Sequence, residues 1–130
     1  MTFFDPSRNE LFLKIINGQS FLIAKRNAKG KMEPMKAGFD SAAQKLAEIS
    51  PNDKLLIIDE LGFLELCCEK FQKEVKNLLL KSRTFLCVIQ QGKNEFTKSL
   101  FDIEDTTLIT VTKANRNHLV NWLIEKIGNS

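Results

Sequence analysis

The 130-residue sequence contains a single histidine, His118, so a histidine-based metal centre or a Ser/His/Asp triad has almost nothing to be built from. The three cysteines, Cys67, Cys68 and Cys87, are odd in number and show no metal-ligand spacing. Cys67 and Cys68 are adjacent and would diverge on a helix, so reduced thiols packed as small hydrophobes are expected. The six glycines (Gly18, Gly30, Gly38, Gly62, Gly92 and Gly128) nowhere cluster, and the one Gly-Lys pair, Gly30-Lys31, has no Ser or Thr after it. A glycine-rich loop that wraps phosphate in backbone N–H groups and a lysine is therefore not encoded in these residues. No apolar run approaches the ~20 residues that span a bilayer. The start, Met1-Thr2-Phe3-Phe4-Asp5-Pro6-Ser7-Arg8, lacks the basic-then-apolar pattern of a secretory leader, so a cytoplasmic location and no membrane are expected.

What remains is ordinary globular material, 43% hydrophobic and 27% charged, and enough for one domain over residues 1–130 with one core. The net charge of +3 is modest and carries no argument by itself. Its most basic stretch is residues 25–36, where Lys25, Arg26, Lys29, Lys31 and Lys36 face one acid, Glu33. With Gly30 and Pro34 as breakers this reads as a solvated loop, or as an anion-facing segment. No aromatic platform interleaves with these charges, so nucleic acid is not an expected partner.

Leu11–Ile16 and Phe21–Ala24 are β-rich runs separated by Asn17-Gly18, which predicts an N-terminal β-hairpin. Residues 38–49 predict a helix capped by Asp40 or Ser41, with Phe39, Ala42, Ala43 and Leu46 on one face. Lys54–Asp59 lacks polar alternation, as expected of a parallel strand covered on both faces. Residues 66–80 predict the clearest amphipathic helix, with Cys67, Phe71, Val75, Leu78 and Leu79 as its stripe. Then follow a strand at Thr84–Ile89, a short helix at 94–101, a β-branched strand at Thr106–Thr112 and a helix at 115–127. That last helix would turn Leu119, Val120, Leu123, Ile124 and Ile127 inward, with Trp122 at its edge. Alternation of this kind predicts an α/β fold of three layers, a mostly parallel sheet with helices on both faces.

Asp59 and Glu60 follow the apolar run Leu55–Ile58 directly. Ligands of open α/β sheets sit beyond the carboxyl ends of the strands. Successive strand side chains point to opposite faces, so the two carboxylates suit two roles. One can reach magnesium, directly or through water, while the other orients or deprotonates an attacking water. A solvated strand end explains the same pair without chemistry.

The longer string Asp59-Glu60-Leu61-Gly62-Phe63-Leu64-Glu65-Leu66, followed by Glu69-Lys70-Phe71, resembles the second nucleotide motif of the small P-loop nucleoside triphosphatases. That motif has the form Asp-Glu-(Ile/Leu)-Gly-x-(Met/Leu)-Glu-Leu. Thr112-Lys113-Ala114-Asn115-Arg116-Asn117 is similar to the family's Thr-x-x-Asn-Arg-Asp segment, and Lys36-Ala37-Gly38-Phe39 to the segment ahead of its second motif. The resemblance covers roughly residues 10–127. It implies a nucleoside triphosphate as substrate and Mg2+ as its companion whenever nucleotide binds. Asp59 would be the magnesium-side carboxylate and Glu60 the general base. Gly62 would turn the chain beside the phosphates, although a plain turn glycine serves as well. Glu65 would belong to the nucleotide site or simply favour a helix N-terminus. Gln90 or Gln91 would sense the terminal phosphate or be an ordinary loop amide. Asn115 and Arg116 would lie toward the base, with a helix cap as the alternative for Asn115.

Relative to that family the sequence has no counterpart of the first strand, the phosphate loop and the first helix. The expectation is a nucleoside-triphosphatase-like domain that hydrolyses ATP or GTP poorly or not at all alone. Three outcomes are open: the flanking strands close up into a smaller sheet, a second copy or a partner chain completes the sheet, or the sequence is a fragment of a longer reading frame. The alternative is a non-catalytic protein-interaction module derived from the same scaffold.

Overall fold

The structure, a computed structural model, describes residues 2–15, 19–50, 55–61, 68–90 and 95–128, with only the backbone of Thr2, Phe3, Glu60 and Leu61. Its chain order is β1 (Thr2–Asp5), β2 (Glu10–Lys14), β3 (Ser20–Arg26), β4 (Met32–Pro34), α1 (Lys36–Ala47), β5 (Leu56–Leu61), α2 (Glu69–Lys81), β6 (Phe85–Ile89), α3 (Glu95–Phe101) and α4 (Arg116–Gly128).

The first four strands form an antiparallel meander in the order β1-β2-β3-β4. The β2–β3 pair confirms the hairpin read from the sequence, while its Asn17-Gly18 turn lies outside the described residues. Strand β1 is a finding of the structure. Its four residues acquire strand geometry by pairing with β2, from Thr2 opposite Leu13 to Asp5 opposite Glu10. The Asp5 carboxylate closes the β1–β2 turn by accepting from the Ser7 backbone N–H and hydroxyl, which lowers its pKa.

The expected loop over residues 25–36 is largely ordered structure instead. Strand β3 continues through Arg26, and β4 pairs back on it with Lys25 opposite Glu33 and Arg26 opposite Met32. Asn27 organises the turn between them. Its side-chain oxygen accepts from the N–H groups of Lys29 and Lys31, and its amide donates to Glu33. Gly30 takes the positive φ of 80° that closes such a turn without a Cβ penalty. Composition alone hides the strand, because three residues pair only when a neighbour offers its edge.

Helix α1 begins at Lys36, and the extended Met35 precedes it with no side-chain cap. Asp40 and Ser41 therefore lie inside the helix rather than at its start. Asp40 instead accepts a hydrogen bond from the buried thiol of Cys68, the residue just ahead of α2, at 2.9 Å. Phe39, Ala42 and Ala43 are buried as the helical spacing predicts. In α2 the stripe of Phe71, Val75, Leu78 and Leu79 is buried, whereas Cys67 lies outside the described residues. The two helices meet through Phe39 and Phe71, whose rings cross edge-on with centroids 5.1 Å apart. Ile23 of β3 and Phe96 and Leu100 of α3 complete the core.

Among the described residues the second sheet is parallel but has two strands, β5 and β6. A mostly parallel sheet is thus corrected to a larger antiparallel sheet beside a small parallel one. The side-chain period of two explains which face is covered. Leu56, Ile58, Phe85, Cys87 and Ile89 pack against the core. Ile57 and Val88 point the other way and are 57% and 48% exposed. The expected cover of helices on both faces is therefore not formed among the described residues. Residues 106–112 make no strand either. Their β-branched composition favours one, but a strand needs a hydrogen-bonded neighbour, and none of the described strands pairs with them. Helix α4 forms where expected but buries no residue. Of its expected inward set, Val120 is 60% and Ile124 is 65% exposed, while Leu119, Leu123 and Ile127 are half-buried. Trp122 is exposed, with the Lys126 ammonium 5.5 Å from its ring centroid.

Cys87, on the covered face of β6, has its thiol pushed up by burial to about 12 from 9.0. Below pH 9 the thiol is protonated in both folded and unfolded chains. Above it the unfolded chain loses the proton first, so this group's contribution to stability fades as pH rises from 9.0 toward about 12. The expected result is that Cys87 of the native chain resists iodoacetamide at pH 8 and reacts on unfolding. Mass spectrometry of the Cys87 peptide, with and without denaturant, checks this.

Candidate functional site

Strand β5 carries Asp59 past the end expected for it, continuing through Glu60 to Leu61. The register with β6 is irregular at this point. Ile58 stands opposite Cys87 and Leu61 opposite Ile89, so Asp59 and Glu60 together face the single residue Val88. One extra residue in one strand is a β-bulge, a device that re-aims side chains and recurs beside active sites. The regular alternation of strand side chains is therefore interrupted at these two residues.

Asp59 is exposed at the carboxyl end of a parallel strand, where α/β sheets present their ligand sites. Gln90 follows directly on β6 and is exposed at the same end, because β5 and β6 run parallel with Leu61 opposite Ile89. The fold thus brings Asp59 and Gln90 to one edge of one small sheet. Glu60 shares that position by its backbone, while its side chain lies outside the described atoms. Gly62, Glu65 and Gln91 fall outside the described residues. The acid in the first turn of α2 is Glu69, which favours that helix end through the macrodipole.

Asn115 and Arg116 stand at the head of α4. The Asn115 carbonyl accepts the N–H groups of His118 and Leu119 and so opens the helix. Its side chain reaches backward: Oδ1 accepts the Thr112 N–H at 2.8 Å, and Nδ2 donates to the Thr110 carbonyl at 2.9 Å. The Thr112 hydroxyl in turn accepts the Asn115 N–H at 3.2 Å. Both ends of the Asn115 amide are occupied in holding this turn, so the reading of Asn115 as a structural residue at the helix start gains a geometric basis. Arg116 is exposed, and its backbone N–H donates to the Thr112 carbonyl.

Magnesium tests the donor set. Among the described residues no group of three His, Cys, Asp or Glu side chains could hold a metal ion. Asp59 is one exposed carboxylate at a strand end. That set cannot form an all-protein cage. It does suit Mg2+, which keeps several waters and is held by one or two carboxylates together with substrate phosphates. A groove of about 400 Å3 between α2 and α3 is lined by Glu69, Gln72, Lys73, Lys76, Glu95, Phe96 and Ser99. None of the candidate residues borders it, and its two acids offset its two lysines. No helix among the described residues is long and apolar enough to cross a membrane.

The chain is similar to several known proteins. The nucleoside-triphosphatase THEP1 of Thermotoga sp. (strain RQ2) is 27% identical over 70 residues, covering 54% of this chain and 40% of the relative. The THEP1 enzyme of Thermotoga maritima is 26% identical over 70 residues with the same coverage. The match thus spans less than half the length of these relatives. A solution structure of a human cancer-related nucleoside triphosphatase shares the fold, with a TM-score of 0.70 at 21% identity. The likeness covers 92% of this chain and 74% of that one. The sequence model of the NTPase family, NTPase_1, matches residues 12–124, nearly the whole chain, and the protein belongs to that family of small nucleoside triphosphatases.

Proposed function

We propose that this chain forms the magnesium-and-water half of a nucleoside triphosphate site, with the phosphate-binding half supplied by another polypeptide segment. The observation that supports the reading is the register irregularity that sets Asp59 and Glu60 together opposite Val88 at the carboxyl end of a parallel strand, the end at which Gln90 is exposed. Asp59 would hold Mg2+ together with the phosphates. Glu60 would orient the attacking water, and Gln90 would meet the terminal phosphate. Gly62 and Glu65 would belong to the turn that follows, and Arg116 to the base side. Bound magnesium would neutralise charge developing on the phosphates, the chief task in phosphoryl transfer. No run of backbone N–H groups of the phosphate-loop type is encoded in these residues, so the isolated chain is expected to hold nucleotide weakly and turn it over little.

Isothermal titration with Mg-ATP and Mg-GTP tests the reading. Binding with Kd near the millimolar level, about −4 kcal/mol, is expected. Asp59→Asn should abolish the difference between titrations with and without magnesium. An unchanged magnesium dependence removes Asp59 from the role, and no binding at several millimolar nucleotide defeats the reading for the isolated chain.

A second reading, a non-catalytic interaction module, is favoured by the exposed apolar residues Ile57 and Val88 on the sheet and Leu108, Val111, Val120 and Ile124 beyond it. Both readings expect a segment that completes the sheet, whether from a second copy or from another chain. Light scattering distinguishes the sources, because exchange between copies requires an oligomer.

A further inference from the structure

We propose that the β3–β4 hairpin and the edge of β1 form a binding surface for single-stranded nucleic acid, separate from the carboxylate site. The charge excess of the whole chain sits in this hairpin. Residues 25–36 hold five of the 19 Lys and Arg residues and one of the 16 Asp and Glu residues, so the rest of the chain carries 14 cations against 15 carboxylates. Within the hairpin, Lys25 lies in register between Glu10 of β2 and Glu33 of β4, which offset it. Arg26, Lys29, Lys31 and Lys36 are exposed, and among the described residues none of them forms a salt bridge.

These cations sit on a braced frame. The Asn27 side chain binds the Lys29 and Lys31 backbones, and the Arg26 N–H donates to the Asn9 carbonyl of the neighbouring turn. A cationic turn held in shape loses less entropy when it meets a polyanion. The sequence pattern shows no aromatic residue among these charges, but the sheet supplies one from a distance. The Arg26 guanidinium lies 5.3 Å from the centroid of the Phe4 ring of β1, and Phe4 is 39% exposed. An exposed guanidinium beside an exposed aromatic ring offers planar groups on which an unpaired base can stack, and Lys29 and Lys31 of the hairpin, with Lys36 at the start of α1, are exposed to meet phosphates. The pairing of an exposed guanidinium with an exposed ring favours nucleic acid over an anionic membrane, which needs charge but no planar groups.

Fluorescence anisotropy of the full 130-residue chain with labelled oligo-dT and oligo-U of about 15 nucleotides tests this. Four phosphate contacts on a single strand predict a salt slope of about −3, or roughly 50-fold weaker binding at 200 mM than at 50 mM salt. Lys29→Glu with Lys31→Glu should weaken binding at least about tenfold without lowering the melting temperature, since neither side chain makes a packing contact in the core. Arg26→Lys keeps the charge but loses the planar guanidinium. It should weaken oligonucleotide binding several-fold while leaving polyphosphate binding unchanged. Oligonucleotide binding indifferent to Arg26→Lys and to Phe4→Leu, and matched by polyphosphate or by phosphatidylserine vesicles, overturns the proposal in favour of a generic anion or membrane surface. Absence of oligonucleotide binding at 50 mM salt also overturns it.

Discussion

Valine in place of Gly38 abolishes cooperative folding. Gly38 sits in the first turn of α1, where the helix crosses β3 at backbone contact. A Cβ built there would overlap the Leu22 carbonyl oxygen and lie 2.6 Å from its carbon. The obstacle is main chain rather than the flexible end of a side chain, so nothing local can yield. The next residue on β3, Ile23, is a core residue, and its carbonyl accepts the Met35 N–H that leads into the helix. Lifting α1 to make room would therefore open the core at Ile23 and Phe39 together. Overpacking commonly costs 1–3 kcal/mol, and more when backbone must move. A loss of about 3 kcal/mol or more is expected for Gly38→Ala, and a larger one for Gly38→Val. Against the 5–15 kcal/mol of an ordinary domain, that leaves the valine variant with little or no folded population. Urea unfolding followed by circular dichroism checks this, and a valine variant with wild-type midpoint would show that α1 does not approach β3 this closely. The resemblance of Lys36-Ala37-Gly38-Phe39 to a family segment thereby acquires a packing explanation that requires no contact with nucleotide.

Phe39→Ala is expected to cost about 3–5 kcal/mol, the range for truncating a buried aromatic. Phe39 has no exposed surface and is the largest fully buried side chain among the described residues. It carries the edge-on contact with Phe71 that joins α1 to α2. It belongs to the buried core cluster with Ile23, Phe71 and Val75, so a hole there would be walled by packed side chains. The chevron of urea unfolding should keep its summed slope while the midpoint falls. A double-mutant cycle with Phe71→Leu isolates the ring contact, for which a coupling of about 1 kcal/mol is expected. Additive effects would show that the two rings contribute through burial alone.

Much of this architecture follows from side-chain periodicity. The stripe of Phe71, Val75, Leu78 and Leu79 identifies α2, and the apolar runs at Ile57 and Phe85 identify β5 and β6, because burial on one face is a local pattern. Errors arise where structure depends on a partner distant in sequence. Thr2–Asp5 is too short to announce itself and becomes β1 by pairing with β2. Residues 32–34 carry loop-like composition and pair nonetheless, whereas residues 106–112 carry strand-like composition and find no neighbour. The apolar run of β5 suggests two covered faces, yet an uninterrupted run cannot say what covers each one. At the candidate site, Asp59-Glu60 is conspicuous in the sequence, but the bulge that sets the two residues against Val88 is a property of register and has no local signature. The Arg26–Phe4 cation–π contact is hidden for the same reason, since it joins the first and third strands of a sheet.

Helix α4 has hydrogen-bond closure at its start, through Thr112 and Asn115, but no fully buried residue along its length. Its backbone amides are thus guarded by helix propensity and half-buried contacts rather than by the core. A helix of 13 residues is marginal by itself in water. Its amide protons should exchange with solvent deuterium through local fraying, at rates insensitive to mutations such as Phe39→Ala, while the amides of α1 and α2 wait for global opening. The same chain would then show two clocks, and a ligand or partner that seats on α4 would reveal itself by slowing only the faster one.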